Sequence, residues 1–346
     1  MLEVQNLSIE YTTEDGVLKA VDDVSFNLDR GESLGIVGES GCGKTTVAKA
    51  LLRLLPENGA ISGGSVLFHG EDLVNKSPDE MRRIRHRKIA LVSQSAMNSL
   101  NPVYSVGHQI REGILAHSDI GRQAANARCV EVFGMVGLEE KRLSSYPHQL
   151  SGGMKQRAII AMALSLEPDI IVADEPTTAL DVVVQGRILQ RIRAIQKQIS
   201  TSMIFITHDI SVVSEICETI IVMYGGKIME QADSASFFRA PYHPYSLGLQ
   251  NAFPSITDTA GEELVSIPGT PPNLMQQQPG CRFRERCPFA TDQCRSQTPP
   301  LVKVKSNHHA ACWYTDQVDD FRTRARDRDT WEAVRTRIEQ QEAPQQ

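Results

Sequence analysis

Hydrophobic and polar positions along the chain repeat with two periods. At the start they alternate: Leu2-Glu3-Val4 and Leu7-Ser8-Ile9 put apolar side chains on one face, the pattern of a half-buried strand. Glu14-Asp15-Gly16 supplies a turn, and Ala20 to Leu28 reads as the returning antiparallel strand. Short strand-like segments then recur at Ser33 to Val37, Gly63 to Phe68, Ile89 to Ser93, Asp169 to Ala173 and Met203 to Thr207. Most are continuous apolar runs, which suit strands buried on both faces. Between them the spacing is helical: Thr46 to Leu55, most of 106–145, Lys155 to Leu166 and Val182 to Ile199. Within 106–145 the apolar set is Val130, Val132, Phe133, Val136 and Leu138. Ser77-Pro78-Asp79-Glu80 is a strong helix start, with a serine cap, proline at the first position and acids in the first turn. That helix is expected to run into Arg82, Arg83, Arg85, His86, Arg87 and Lys88 as a solvated basic face. Strands alternating with helices predict an α/β core with a mostly parallel sheet, preceded by an antiparallel β subdomain and interrupted by a helical insertion at about 95–165.

Composition narrows the class only a little. With 346 residues, 41% hydrophobic and 23% charged, the chain is an ordinary globular protein of one large or two smaller domains. The formal net charge of −6 argues against electrostatically driven nucleic-acid binding, so no nucleic-acid partner is expected. No apolar run reaches 18 residues, and Met1-Leu2-Glu3-Val4-Gln5 does not resemble a secretory signal, so a cytoplasmic protein is expected.

The candidate chemistry begins at Gly38-Glu39-Ser40-Gly41-Cys42-Gly43-Lys44-Thr45-Thr46. It fits the phosphate-loop pattern and sits between a strand and a helix, as that pattern requires. Glycines let backbone N–H groups close on phosphate oxygens, the helix N-terminus adds free donors, Lys44 brings a point charge near the β- and γ-phosphates, and Thr45 a hydroxyl for Mg²⁺. Ser151-Gly152-Gly153 opens a helix and makes a second candidate anion site. The strand 169–173 runs into Asp174 and Glu175, a costly arrangement unless the acids work at the strand's end. Asp174 is placed to hold Mg²⁺, and Glu175 to polarise an attacking water. Gln94 and His208 also follow strands, and ligands of open parallel sheets bind at those carboxyl ends. Gln94 can reach Mg²⁺ and the water from there. Asp181 leads into the helix from Val182. Tyr11 ends the first strand where an aromatic ring can stack on a purine or simply pack on the sheet.

In order and spacing these motifs make residues 1–240 resemble the nucleotide-binding subunit of ATP-binding-cassette (ABC) transporters. The departure is Met154, where that family most often has glutamine. The resemblance implies an ATPase working as a dimer, with ATP between Lys44 of one chain and Ser151 and Gly153 of a second ATP-binding subunit, either a copy or a paralogue. It implies that His208 holds the γ-phosphate. Implied partners are two transmembrane permease subunits and a periplasmic or extracellular substrate-binding protein, with the ATPase peripheral on the cytoplasmic side of the inner membrane. Gln94, the loop after it and the helical insertion are the implied permease contact.

Beyond 240 the composition turns to Pro, Gln and Cys. Pro241-Tyr242-His243-Pro244-Tyr245, the extended Ile267-Pro268-Gly269-Thr270-Pro271-Pro272 and the late cysteines resemble the C-terminal extension of oligopeptide and dipeptide importer ATPases. Peptide import is therefore the expected task, with nickel or another small solute, or a soluble ABC ATPase, as alternatives. The extension is placed at 241–315, with a charged tail at 316–346 expected to be a solvated helix or frayed. Four of the seven cysteines, Cys281, Cys287, Cys294 and Cys312, cluster there with spacings C-x5-C, C-x6-C and C-x17-C. In a reducing compartment such a cluster reads as metal-binding. The spacings lack the short C-x2-C pairs of most structural zinc sites, and four thiolates match the demand of a [4Fe–4S] cluster. His308 and His309 keep zinc as an alternative.

Overall fold

The computed structural model describes residues 1–94, 99–177, 181–252, 265–276 and 279–342. In chain order its strands are β1 (Leu2–Thr13), β2 (Gly16–Leu28), β3 (Ser33–Val37), β4 (Gly59–Phe68), β5 (Glu71–Asp72) and β6 (Ile89–Val92). They continue with β7 (Ile170–Asp174), β8 (Ser202–Thr207), β9 (Thr219–Tyr224), β10 (Lys227–Asp233), β11 (Val302–Lys305) and β12 (His308–Ala310). The helices are α1 (Lys44–Leu51), α2 (Pro78–Ile84), α3 (Val106–His117), α4 (Arg122–Met135), α5 (Gly152–Leu164) and α6 (Val182–Ile199). After them come α7 (Ile210–Ile216), α8 (Ser234–Arg239), α9 (Pro244–Asn251), α10 (Asp292–Ser296), α11 (Val318–Arg324) and α12 (Arg328–Glu342).

Two sheets result. β2-β1-β4-β5 is wholly antiparallel. The central sheet has the order β11-β12-β10-β9-β3-β8-β7-β6, and its middle pairings β9-β3-β8-β7-β6 are parallel. The alternating period of β3 divides the core. Leu34 and Ile36 face the β subdomain and α1, together with Val47, Ile204 and Ile206. Val37 faces the opposite cluster, which gathers the helical insertion, α7 and much of the C-terminal extension. Gly35 lets α7 lie flush on the sheet, since a Cβ there would stand 1.8 Å from Val213 Cγ1. These strand interiors are fully buried, which explains why they read as continuous apolar runs.

Several expectations need correction. The helix capped by Ser77 ends at Ile84 and does not continue through the basic run. Arg85 leaves the helix and turns inward, donating from Nε and Nη2 to the carbonyls of Leu52 and Arg53, where α1 ends. A helix end leaves carbonyls unpaired, and a guanidinium satisfies two at once. His86 bonds Met162 O at 2.8 Å, so the run is not a solvated face throughout. Val130 is 37% exposed and does not belong to the insertion's core, whereas Val132, Phe133, Val136 and Leu138 are buried. The loop after Gln94 lies partly outside the described residues.

The C-terminal part is more integrated than its composition suggested. β12 pairs antiparallel with β10, setting Glu230 opposite Ala310 and Ala232 opposite His308, so a hairpin of the extension widens the central sheet. Glu230 is fully buried there, and its carboxylate accepts from Tyr242 N (2.7 Å), His243 N (2.8 Å) and His308 Nε2 (2.6 Å). A buried carboxylate is tolerable only when its lone pairs are satisfied in this way. The tail is helical over α11 and α12 but not merely solvated. Val318, Phe321, Ala325, Trp331 and Val334 are buried, and Arg337 Nη2 donates to the carbonyls of Glu285 and Cys287.

Candidate active site

The phosphate loop lies between β3 and α1, and its glycines explain its shape. Gly38, Gly41 and Gly43 all have positive φ (152°, 78° and 102°). A Cβ at Gly38 would come within 2.1 Å of Met223 O, and one at Gly43 within 2.5 Å of Ala20 O. At Gly41 nothing lies within 4 Å of that position, so this part of the loop faces open space, a backbone cradle suited to an anion. The Lys44 ammonium donates to the carbonyls of Gly38 (2.7 Å) and Glu39 (2.8 Å). Cys42 is buried in the core beneath, and burial pushes its thiol pKa up. Ser40 and Gly41 are exposed.

From Thr45 a chain of contacts crosses the ends of three strands. Thr45 Oγ1 donates to Asp174 Oδ1 at 3.1 Å. Burial raises the Asp174 carboxyl pKa; the charge of Glu175 adds to this, while the Thr45 hydroxyl and Lys44 oppose it. Glu175 follows in a left-handed conformation (φ 49°), uncommon for a residue with a Cβ. Its N–H donates to Ile206 O at 2.8 Å on β8. Gln94 Nε2 donates to Glu175 Oε2 at 2.7 Å, and His208 Nδ1 meets Glu175 Oε1 at 3.0 Å. The arrangement holds one carboxylate at both oxygens, with a buried acid and a hydroxyl beside it. It can orient a water against a phosphate next to the loop. Gln94 therefore touches the acid directly, a contact its place in the sequence did not reveal.

Tyr11 sits at the loop's other flank. Its hydroxyl donates to Thr46 Oγ1 at 3.4 Å, and it stands opposite Gly59 on β4, where a Cβ would meet the ring at 2.6 Å. Ser151 caps α5, its Oγ accepting from Met154 N, and Asp181 caps α6, its Oδ1 accepting from Val184 N at 2.9 Å. The two helix starts touch, because a Cβ at Gly153 would lie 2.9 Å from Val184 Cγ1. Ser151, Gly152 and Asp181 are exposed. Among the described residues, no hydrogen bond joins Ser151, Gly152 or Gly153 to the phosphate loop.

The family model for ABC transporters matches residues 21–178, and that for the oligopeptide/dipeptide transporter C-terminal region matches residues 229–294. The chain is 44% identical to a probable peptide ABC transporter ATP-binding protein of Sinorhizobium fredii over 321 residues, covering 92% of this chain and 96% of the relative. It is 43% identical to the oligopeptide transport ATP-binding protein OppD of Escherichia coli over 315 residues, 90% and 93% of the two chains. This chain is an ABC transporter ATP-binding subunit. Among solved structures, the dimeric bacterial ABC transporter cassette MJ0796 superposes with a TM-score of 0.62 at 28% identity, over 68% of this chain and 99% of that one. The same cassette is known as a dimer bound to ADP and phosphate. The subunit described here is thus an ATPase with the α/β cassette fold.

The four late cysteines also come together. Cys281, Cys287, Cys294 and Cys312 line one narrow cavity with Phe283, Phe289, Trp313 and Phe321. Cys281 N donates to Cys294 O at 2.7 Å, locking two of them across the fold. Burial pushes the thiol pKa of Cys281 up to about 11, that of Cys312 to about 12 and that of Cys287 well above the usual range. Among the described residues, no three His, Cys, Asp or Glu side chains are grouped as ligands of one metal ion. His308 is committed to Glu230 instead.

Sequence reasoning missed one part of the site. Glu39, in the phosphate loop, donates its backbone N–H to Tyr245 OH (3.0 Å), and its carboxylate accepts from both Nη atoms of Arg286 (2.6 and 3.0 Å). Both partners belong to the extension, and nothing local in the sequence ties them to the phosphate loop.

Proposed function

We propose that this ATPase powers import of di- or oligopeptides through a membrane permease, and that Glu175 is the residue that activates water. The observation that carries the catalytic part is the carboxylate of Glu175 held between Gln94 and His208, next to Asp174 and Thr45. In this reading Lys44 and the loop N–H groups neutralise the phosphates, Glu175 orients or deprotonates water, and His208 contacts the γ-phosphate. Asp174 and Thr45 would hold Mg²⁺, which would neutralise charge on the β- and γ-phosphates. Ser151, which is exposed, and Gly153, which is half-buried, lie at a helix start and serve the nucleotide of a second ATP-binding subunit. The dimeric state of the MJ0796 cassette supports that reading. Glu175→Gln keeps carbonyl acceptance but loses the base, so it is expected to bind ATP and lower turnover by about two orders of magnitude or more. ATP binding and single-turnover hydrolysis measure both; wild-type turnover by Glu175→Gln rejects the assignment.

Peptides as cargo are supported by the extension's match and by the peptide transporters among the relatives. Among the described residues no helix is long and apolar enough to cross a membrane, so coupling requires permease subunits. Val103 (73% exposed) and Tyr104 (48% exposed), at the entry to the helical insertion after Gln94, support a permease contact there. In this reading the subunit is peripheral, at the inner face of the membrane. Co-expression with permeases and recovery in membranes tests it, since the chain alone is expected in the soluble fraction.

The cysteine cavity supports a [4Fe–4S] cluster held by Cys281, Cys287, Cys294 and Cys312. Three buried cysteines and the half-buried Cys312, all lining one largely apolar cavity, fit that donor set. A single tetrahedral zinc would need its thiolates crowded about one ion, with Zn–S bonds of roughly 2.3 Å, and no such grouping is present among the described residues. A cluster would supply folding free energy to this part of the chain. Anaerobic purification should yield about four irons and four sulfides per chain; one zinc, or no metal with the extension folded, rejects it.

A further inference from the structure

The extension reaches into the phosphate loop through one side chain. Arg286 is 4% exposed, and all three nitrogens of its guanidinium donate hydrogen bonds. Its Nε donates to Pro268 O (2.8 Å), and Nη1 donates to Tyr224 OH (3.2 Å) as well as to Glu39 Oε2 (2.6 Å). Nη2 donates to Glu39 Oε1 (3.0 Å) and Ile267 O (3.4 Å). The fork is thus bidentate on Glu39 and braced from behind by the extended segment at 267–268. Bidentate guanidinium–carboxylate pairs fix geometry as well as charge. Glu39 is the second residue of the loop, and its three polar groups are all committed. Tyr245 takes its N–H, Arg286 its carboxylate, and the Lys44 ammonium its carbonyl. Two residues therefore relay the extension to the phosphate lysine: Arg286 sets Glu39, and Glu39 O sets Lys44. The pair also matters electrostatically. An unpaired carboxylate in a phosphate loop would repel the ligand, and Arg286 cancels that charge.

We propose that Arg286 is a positioning residue for ATP binding, holding the phosphate loop through Glu39 so that nucleotide affinity depends on the C-terminal extension. The proposal rests on the reading of residues 38–45 as the ATP site. A structural role confined to the carbonyls of Pro268 and Ile267 would destabilise the chain without regard to residue 39, so the two roles separate in a double-mutant cycle. The full-length protein is titrated with a fluorescent ATP analogue and Mg²⁺, and KM and kcat are measured separately. Arg286→Gln is expected to raise the dissociation constant about tenfold when Glu39 is present and less than about twofold in the Glu39→Gln background. KM should rise in parallel, with kcat at saturating ATP nearly unchanged. Arg286→Lys keeps charge but loses the fork, and is expected to raise the constant about threefold in the Glu39 background alone. This variant decides the matter if Arg286→Gln does not fold. Wild-type affinity in both Arg286 variants, or an equal loss in both backgrounds, overturns the proposal. Failure of the wild-type chain to bind the analogue rejects the ATP-site reading itself, which is a different result.

Discussion

At the scale of single residues, the site depends on positions where chemistry leaves little choice. Lys44 places its ammonium on the carbonyls of Gly38 and Glu39, within the phosphate loop. Hydrogen bonds to charged groups are worth roughly 1.5–3 kcal/mol, so Lys44→Ala should raise the ATP dissociation constant by about 10- to 100-fold. Equilibrium titration checks this, and an unchanged constant would remove Lys44 from the site. Gly38 is constrained by geometry instead. With φ at 152° and Met223 O 2.1 Å from the place of a Cβ, Gly38→Ala must move either the loop or β9. Steric conflict with backbone is not relieved by rotating a side chain. The expected cost is about 1–3 kcal/mol or more, visible as a lowered midpoint in urea unfolding together with weakened nucleotide binding.

At the scale of elements, helix starts hold local stability and two of them can be tested. α2 begins with a full capping box: Ser77 Oγ accepts from Glu80 N, and the Glu80 carboxylate accepts from Ser77 N at 2.8 Å. Ser77→Ala should cost about 1 kcal/mol, measured by denaturant unfolding, with little effect on ATP hydrolysis. α9 is capped by His243, whose Nδ1 accepts from Tyr245 N at 3.1 Å. Burial lowers the His243 pKa from 6.5 to about 3. In the unfolded chain this ring takes a proton below about pH 6.5, and in the folded chain only near pH 3. The unfolded state therefore binds more protons between these values, and stability falls as pH drops through that window. The slope contributed by this one group is at most about 1.4 kcal/mol per pH unit. Asn can also cap a helix but does not titrate, so His243→Asn should show a smaller drop in melting temperature from pH 7 to pH 5 than wild type. An equal drop in both proteins would mean that other groups govern the acid limb.

At the scale of the whole molecule, cassette and extension share one sheet and one core. Removal of everything after residue 240 would strip β12 from β10 and take from the Glu230 carboxylate the donors of Tyr242, His243 and His308. It would also uncover Tyr224, which packs on Tyr245 and Phe283 with ring centroids 4.7 and 5.2 Å away. An unpaired strand edge and an exposed aromatic face both invite association with other chains. A chain of residues 1–240 should therefore melt well below the full-length protein, aggregate on gel filtration and bind ATP weakly. A stable monomer with native affinity would show that the extension is an accessory.

What the sequence by itself determined is what neighbours in the chain can encode. The phosphate loop, the cap at Ser77, the helix starts at Ser151 and Asp181, and the buried runs of β3, β7 and β8 each depend on residues a few positions apart. Backbone preference, capping and burial period act over that range, and these elements were legible to within a few residues. The ends of elements were less so: α2 stops at Ile84 because Arg85 serves the carbonyls of another helix, and no local preference carries that information. Tertiary structure alone decided which strand ends meet. Gln94 and His208 close on Glu175 only because β6, β7 and β8 lie side by side. Arg286 reaches Glu39 across a separation of 247 residues. The order of strands follows from packing the whole core at once, and a charge pair at such a distance exists only after that packing has brought its two halves together.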